Sequence, residues 1–257
     1  MATPALSACI ITRNEADRIQ SCIEALDWCD EIVVVDAHSS DATRGIAERL
    51  GARVIERDWA GYRSQKQFAT DAARHDWVLC VDADERVTPA LRAEIVALRA
   101  GGFAGCNAWT IPRLTQYLGR FLRHGNAWPD RQVRLYHRRR ARWVGYEVHE
   151  KVAADAPVGA LRGALEHHAY RSFEDHLAKM DRYAALMAAE MYAAGRRCGV
   201  WPVLINPAWR LVRGLFVKRG VLDGWRGVLF HIVEAGYVRR KYLRLWVLTR
   251  AADDHGS

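Results

Sequence analysis

The stretch VLCVDADERV (78–87) runs a hydrophobic segment directly into a cluster of carboxylates. The apolar run ends at Val81, and Asp82, Asp84 and Glu85 follow within four positions. A short apolar run of this kind is typical of a strand buried on both faces of a parallel sheet. The carboxylates then lie at the carboxyl end of that strand, where the ligand loops of open α/β sheets are found.

The same plan of apolar run, polar loop and helical pattern occurs three more times upstream. The runs are LSACIIT (6–12), EIVVVDAHSSDAT (31–43) and ARVIER (52–57). Strands that alternate with helices predict a mostly parallel, Rossmann-like sheet flanked by helices on both faces. Asp41 is expected to cap the helix that ends near Leu50.

After residue 100 the pattern changes to shorter strands and then to helices. NAWTIPRL (107–114) and QVRLYHRR (132–139) alternate as more exposed strands do, and another short strand is expected near 160–168. SFEDHLAKMDRYAALMAAEMYAAG (172–195) predicts a long helix that Ser172 caps. The tail beyond it is rich in Trp and Arg and has a helical pattern.

Composition narrows the class of protein. The chain has 257 residues, half of them hydrophobic, which suits one large domain or one domain with an appendage. Its six cysteines show no CxxC pair, and no secretion signal or run of about 18 apolar residues appears. The expectation is a chain with reduced thiols in the cytosol.

The positive charge is concentrated near the carboxyl terminus. Residues 196–250 hold twelve Lys and Arg and two acidic residues, a net charge of +10, so the remainder carries −2. Basic amphipathic segments with Trp are typical of an anionic membrane interface. The alternative is a helical lid with its arginines turned outward. Nucleic acid is not expected as a partner, because no motif of the usual nucleic-acid-binding kinds appears.

Asp82 and Asp84 are two apart on an extended segment and so face the same side. Two close carboxylates repel each other unless a cation compensates. A divalent metal held by one or two carboxylates and a substrate diphosphate is the natural compensation. The alternative is that both residues only cap the helix that begins near Thr88.

Other polar residues are predicted at the same rim of the sheet. Asp36 ends the second strand. Its carboxylate can accept a hydrogen bond from the N–H of a base or from a ribose hydroxyl; the alternative is that it is a turn residue. Asn14 and Glu15 follow the first strand. Arg63 and Lys66 lie about one helical turn apart, where they can neutralise a phosphate or form a solvated helix face.

The chain resembles a known family at these motifs. ACIITRNEADRIQSCIEAL, EIVVVDAHSSDAT and WVLCVDADE are similar to the nucleotide-sugar half of the inverting family 2 glycosyltransferases of GT-A fold. ERDWAGYRSQKQFA, WPDRQVRLYHRR, YEVHEKV and HHAYRSFEDHLAKMDRYA resemble the lipopolysaccharide-core enzymes that add glucose to inner-core heptose. The resemblance covers roughly residues 5–245. It implies a GT-A domain over 1–170 and a helical basic region over 171–257.

Within that domain the resemblance implies a nucleotide-sugar half over 1–100 and an acceptor half over 101–170. Asp36 would contact the uracil, and Asp84 would be the more direct ligand of Mg²⁺ or Mn²⁺, with Asp82 beside it. The implied donor-binding residues are Thr12, Asn14, Glu15, Asp36, Arg63, Lys66 and Asp82.

An inverting transfer also needs a general base that takes the proton of the acceptor hydroxyl. Asp130, Glu147 and Glu150 are the candidates in the acceptor half, and Glu150 is favoured. The alternative for Glu150 is a salt bridge to an arginine of the segment 131–142. His168 can be a further metal or diphosphate ligand, or a structural residue. The six arginines of that segment are Arg131, Arg134, Arg138, Arg139, Arg140 and Arg142.

The sequence therefore predicts a metal-dependent inverting glycosyltransferase at the cytoplasmic face of the inner membrane. It would move glucose from UDP-glucose to a heptose of the lipid A–core acceptor. A transferase acting on polyprenyl phosphate or another glycan is an alternative, as is a nucleotidyltransferase. An alternative of another class is a non-catalytic membrane-binding protein with a degenerate sugar-nucleotide fold.

Overall fold

The computed structural model describes residues 3–147 and 149–255. The chain forms two compact units. The first unit contains the residues up to Leu114 together with Asp130–His167. The second unit contains Thr115–Pro129 together with the residues from His168 onward.

The strands and helices follow in chain order. The strands are β1 (Leu6–Thr12), β2 (Glu31–Asp36), β3 (Arg53–Glu56), β4 (Trp77–Asp82), β5 (Glu85–Val87), β6 (Ala108–Tyr117), β7 (Arg120–Phe121), β8 (Asp130–His137), β9 (Ala141–Gly145), β10 (Glu150–Ala154), β11 (Val158–Ala160) and β12 (Leu165–His167). The helices are α1 (Ile19–Glu24), α2 (Thr43–Arg49), α3 (Tyr62–Ala72), α4 (Pro89–Ala100), α5 (Phe173–Ala193), α6 (Val200–Val212) and α7 (Gly224–His255).

The first four strands form the parallel half of the sheet, as the sequence predicts. They lie in the order β3-β2-β1-β4. In the register, Thr12 pairs with Asp36, and Ile11 pairs with Asp82. The polar residues that end these strands are therefore brought to one edge of the sheet.

The sheet becomes mixed beyond β4. β8 runs antiparallel to both β4 and β6, and β12 runs antiparallel to β5. β9 and β10 form a separate antiparallel pair. The α/β fold class is confirmed, and the antiparallel strands come from the segment where the sequence pattern alternates.

Strand β1 shows why the parallel half is covered on both faces. Ala8 and Ile10 belong to a core cluster that contains Ile19 of α1. Cys9 and Ile11 point the other way, into a cluster that contains Ala69 of α3. A strand that buries both sets of side chains needs a continuous apolar run, which is what the sequence has.

The helix caps confirm one prediction and correct two interpretations. Ser172 accepts a hydrogen bond from the Asp175 amide at the start of α5, as predicted. The cap of α4 is Thr88, whose hydroxyl accepts from the Leu91 amide, so Asp82 and Asp84 are not the caps of this helix. The capping position of α2 is Ala42, although the Asp41 carboxylate accepts from the Thr43 amide at 3.0 Å.

The second unit is held together around buried polar groups of its helices. The imidazole of His231 is buried, donates through Nδ1 to the Gly227 carbonyl at 2.6 Å and accepts from the Asn126 amide at 3.0 Å. Burial lowers the pKa of His231, which favours this neutral form. A Cβ at Gly214 would overlap the imidazole, so glycine is required there.

The cysteines and the helices of the described residues show two further features. The six cysteines all lie among the described residues and form no disulfide. Within the described part of the chain, no helix combines the length and the apolar character needed to cross a membrane.

Glu31 ties the amino ends of the parallel strands together. Its carboxylate accepts from the Ser7 hydroxyl at 2.7 Å, the Arg74 amide at 2.7 Å and the Arg53 guanidinium at 2.8 Å. Burial raises the pKa of Glu31, but these donors lower it further, so its pKa lies below the ordinary value. The folded state therefore favours the charged carboxylate.

We expect Glu31→Gln to lower the free energy of unfolding at pH 7 by about 2 kcal/mol, because it removes hydrogen bonds to a charged acceptor. A carboxyl whose pKa is depressed by folding stabilises the protein above its unfolded pKa and loses that effect as the pH falls. The difference between wild type and variant should therefore shrink below pH 4.5. Urea denaturation at several pH values measures it, with exposed Glu24→Gln as control. A difference that is constant with pH would contradict the charge argument.

Candidate active site

The loops after β1 and β2 interlock at the carboxyl edge of the sheet. The Asp36 carboxylate is fully buried and accepts from the amide and the hydroxyl of Ser39. These are the contacts of a turn residue, and contact of Asp36 with a base remains a prediction. Thr12 lies opposite Asp36, and its buried hydroxyl has no hydrogen-bond partner among the described residues.

Asn14 and Glu15 shape the same edge through backbone and side-chain contacts. Asn14 has a positive φ of 55°, which an asparagine tolerates, and its side-chain oxygen accepts from the Ser40 amide at 2.8 Å. The Glu15 amide donates to the Thr43 hydroxyl at 2.9 Å. The β1 loop is therefore fixed against the β2 loop.

Seven side chains of alternating charge, which we call the charge ladder, run through the first unit. Lys66 Nζ lies 2.8 Å from Asp82 Oδ1 and 2.7 Å from Glu150 Oε1. Arg134 Nη2 lies 2.8 Å from both Asp82 Oδ2 and Glu85 Oε1. In order, the ladder is Glu150, Lys66, Asp82, Arg134, Glu85, Arg113 and Asp130.

At the far end of the ladder, Arg113 joins Glu85 to Asp130. Arg113 Nη1 lies 3.4 Å from Glu85 Oε1, and Arg113 Nε donates to Asp130 Oδ2 at 2.8 Å. Four carboxylates and three cations leave a formal charge of −1. Glu85, Arg134 and Lys66 are almost completely buried, so each charge needs its neighbours to remain ionised.

The pKa shifts express this mutual dependence. Burial raises the pKa of Asp82, but Arg134 and Lys66 lower it further and hold it well below the ordinary value. Burial lowers the pKa of Lys66, but Asp82 and Glu150 raise it above the ordinary value. Asp130 follows the same rule, because Arg113 outweighs burial and lowers its pKa. Asp82, Lys66 and Asp130 are therefore held in their charged forms.

A buried hydrogen-bond network positions Lys66. The Tyr136 hydroxyl lies 2.7 Å from the Thr70 hydroxyl, and the Trp143 indole donates to Tyr136 at 3.0 Å. Thr70 in turn donates to the Lys66 carbonyl at 2.9 Å. Lys66 Nζ lies 5.1 Å from the centroid of the Trp143 ring, where a cation is attracted to the π face.

The two leading candidates for the base lie at opposite ends of the ladder. Glu150 bonds Lys66 through Oε1, whereas Oε2 has no hydrogen-bond partner in the described residues. The partner of Glu150 is thus Lys66 and not an arginine of the segment 131–142, which corrects that alternative. Asp130 accepts from Arg113 and Gln132, so both of its oxygens are bonded.

Glu147, the third candidate, caps helix α3. Its carboxylate accepts from the Arg63 amide at 2.9 Å and lies 2.9 Å from the Arg63 guanidinium. A negative charge at a helix N-terminus is stabilised by the helix dipole. Gly61 allows the approach, because a Cβ there would overlap the Glu147 carboxylate. Arg63 is thus paired with a protein carboxylate.

Asp84 lies next to a histidine that the sequence analysis did not select. His167 Nε2 is 3.6 Å from Asp84 Oδ2, and Arg18 Nη1 is 3.9 Å from the same oxygen. His168, the predicted ligand, lies in the second unit, where its Nδ1 is 2.9 Å from Gln116 Oε1. His167 is the residue of this pair that ends strand β12 and lies beside Asp84.

The residues at Asp84 suit a divalent metal that shares its coordination with a substrate. No group of three or more His, Cys, Asp and Glu suited to a metal occurs among residues 3–147 and 149–255. Asp84 and His167 offer one carboxylate and one imidazole, and Mg²⁺ or Mn²⁺ in transferases commonly takes its remaining ligands from phosphates and water. The donor set therefore fits such an ion.

Sequence reasoning missed His167, Arg134 and Arg113. Arg134 and Arg113 stood within strand motifs, but their partners lie far along the chain, 52 positions away for the bond from Arg134 to Asp82. The one available signal was strand alternation. Arg134 directly precedes the apolar residues Leu135 and Tyr136, both fully buried, and a charge that is buried beside them requires a partner.

A parallel sheet of this order, followed by antiparallel strands and carrying acidic residues at the end of its fourth strand, is the arrangement of the GT-A fold. The chain belongs to glycosyl transferase family 2, whose family model matches residues 7–158.

Two relatives match over most of the chain. The lipopolysaccharide core biosynthesis glycosyltransferase LpsC of Rhizobium meliloti (strain 1021) is 31% identical over 237 residues, which is 90% of this chain and 86% of that protein. An uncharacterized glycosyltransferase of Rickettsia bellii (strain RML369-C) is 30% identical over 258 residues, covering 95% and 85% of the two chains. The chain therefore resembles a lipopolysaccharide core enzyme.

A solved structure has the same fold. The mannosyltransferase PcManGT of Pyrobaculum calidifontis, determined with GDP-Man and Mn²⁺, matches with a TM-score of 0.56 and 15% identity. The match covers 95% of this chain and 88% of that one. At this identity the likeness establishes the GT-A fold.

We expect His167→Ala to weaken binding of Mn²⁺ in the presence of UDP by about tenfold or more, because the change removes an imidazole next to Asp84. His168→Ala is the matched control and should leave the affinity unchanged. Isothermal titration measures both. Weaker binding in His168→Ala than in His167→Ala would make His168 the ligand.

Proposed function

We propose that the protein is a metal-dependent inverting glycosyltransferase that moves glucose from UDP-glucose to a heptose of the lipopolysaccharide inner core. The reaction would take place at the cytoplasmic face of the inner membrane, with lipid A–core as acceptor. The family and the likeness to LpsC support the reaction class and the kind of acceptor. The observation that carries the proposal is the position of Glu150 beside the Asp82–Asp84 motif.

The ladder gives the distance between these groups. Lys66 Nζ is 2.8 Å from an Asp82 oxygen and 2.7 Å from a Glu150 oxygen, so the two carboxylates are at most 5.5 Å apart at these atoms. A sugar held by the motif would thus present its anomeric carbon near Glu150. The positive charge of Lys66 offsets the repulsion between the two carboxylates and holds them close together.

The chemical steps follow from this placement. Glu150 Oε2 takes the proton of the acceptor hydroxyl while the acceptor oxygen attacks the anomeric carbon. The bond between that carbon and the diphosphate oxygen breaks on the opposite face, which inverts the configuration. Asp84 and His167 would hold Mg²⁺ or Mn²⁺, which supplies charge neutralisation for the leaving diphosphate. Lys66 and Arg134 fix Asp82 throughout.

Two other activities use the same fold. A transferase that acts on polyprenyl phosphate or another glycan would share the donor site and differ in the acceptor. A non-catalytic membrane-binding protein would keep the fold and bind no donor. The intact acidic motif and the proton acceptor at Glu150 favour the transferase.

Titration with UDP-glucose in the presence and absence of Mn²⁺ tests the donor site. We expect metal-dependent binding in the wild type and loss of the metal dependence in Asp84→Asn, because the amide replaces a charged ligand. Glu24→Gln, an exposed change in the same unit, is the control. Binding of UDP without UDP-glucose would reject the sugar, and binding of neither would reject the transferase.

The base is identified by comparing the two ends of the ladder. We expect Glu150→Gln to lower kcat by about 10²–10⁴-fold with UDP-glucose affinity retained, because the amide cannot take the proton. Asp130→Asn, at the other end, should lower kcat much less. Product formation from UDP-glucose and purified lipid A–core, with the anomeric configuration read by NMR, measures both. The reverse order would make Asp130 the base.

A further inference from the structure

Helix α6 carries its apolar stripe on the exposed side. Trp201 is 68% exposed and Trp209 is 59% exposed, whereas Val203 is the one residue of α6 that is buried. A helix of a globular protein normally turns this stripe toward the core. The exposed residues, spaced three and four apart, are Trp201, Leu204, Ile205, Ala208, Trp209 and Val212.

The exposed apolar side chains continue beyond α6. A π-helical turn (Arg213–Val217) and a 3₁₀ turn (Gly220–Asp223) lead into α7. Phe216, Leu222 and Trp225 along this path are each 60% exposed or more. We call these residues, together with the six of α6, the apolar surface.

The rest of the second unit behaves differently. Met180 and Ala184 of α5 pack in a buried cluster with Val233 and Tyr237 of α7. The long helices thus bury their own apolar stripes against each other. Ile232 and Val247 of α7 are also more than half exposed, but most of the large apolar side chains of the second unit that are more than half exposed lie in the segment 200–225.

The charges around the apolar surface are almost all positive. Residues 200–226 hold five Lys and Arg and one acidic residue, a net charge of +4. The acidic residue, Asp223, is buried and accepts from the Arg123 and His124 amides, so it presents no negative charge to the outside. Arg226 lies 4.5 Å from the centroid of the Trp225 ring, which places a cation beside an exposed tryptophan.

We propose that the apolar surface inserts into the interfacial layer of a bilayer that contains anionic lipid. Tryptophan and leucine side chains are stabilised at that depth, and cations at the border of the apolar surface can bind lipid phosphates. The inference deepens the proposed function, on which it rests for the lipid-linked acceptor. It assigns membrane contact to the segment 200–225 and not to the basic tail as a whole.

A second copy of the chain is the other occupant of such a surface. Pairing two identical surfaces would bring two net charges of +4 together with no exposed acidic residue between them. Like charges across an interface oppose association. An anionic bilayer satisfies the apolar side chains and the cations at once.

Co-sedimentation with vesicles of phosphatidylcholine, with and without phosphatidylglycerol, tests the surface. The wild type should bind the anionic vesicles and bind them less at high salt. The double variant Leu204→Gln/Trp209→Gln should bind about tenfold more weakly or worse. Both residues are more than half exposed, so the substitutions remove little buried surface. Thermal unfolding and UDP-glucose titration of each variant check this independently of vesicle binding.

The matched control replaces exposed apolar residues elsewhere. Trp59→Gln/Leu186→Gln changes a tryptophan and a leucine that are 40% and 43% exposed and lie outside the apolar surface. This variant should bind vesicles as the wild type does. Equal loss in both variants, or a concentration-dependent dimer in ultracentrifugation that Leu204→Gln/Trp209→Gln abolishes, would overturn the proposal. If the wild type binds vesicles but not UDP-glucose, the membrane-binding role of the apolar surface stands and only the proposed function is rejected.

Discussion

The site depends on the two bonds that Arg134 makes through one nitrogen, to Asp82 and to Glu85. The free-energy cost of removing a carboxylate from water can exceed the attraction of one ion pair. Buried charges are therefore stable only when each has close partners of opposite charge. The charge ladder meets this condition by alternation, and Lys66, Arg134 and Glu85 within it are almost completely buried. The acidic motif is therefore held in place before any substrate arrives. Glu150 ends the ladder with its Oε1 bonded to Lys66, and Asp84 lies beside His167.

The parallel half of the fold was predictable because its signal is local. A strand buried on both faces is apolar along its length, and the ligand loop after it is polar. The segments LSACIIT, EIVVVD and WVLCVD could therefore be recognised as strands from their own residues. The same logic located Asp36, Lys66, Asp82 and Asp84 at one edge. The mixed second half was less clear, because its short strands share their patterns with loops.

The partners of the charged residues were not predictable, because pairing joins positions that are far apart in sequence. The alternative reading of Glu150 was a salt bridge to an arginine of the segment 131–142, and its partner is Lys66. His167 and His168 are adjacent and chemically identical, so the sequence alone could not show which of them lies beside Asp84. The structure places His167 there, at the end of β12. The orientation of α6 was hidden for a similar reason. A helical stripe has the same period whether it faces the core or the outside.

The long sequence separations within the ladder mean that its pairs form late during synthesis of the chain. Lys66 and Glu150 are 84 positions apart, and the Glu147 cap of α3 reaches back over a similar distance. At about 5–20 residues per second, a ribosome needs about 4–17 s to add that length of chain. During this interval Asp82 and Glu85 have been synthesised without Arg134, and α3 lacks its cap. The first hundred residues contain the motifs by which the family is recognised, but they cannot complete the site until residue 150 has emerged.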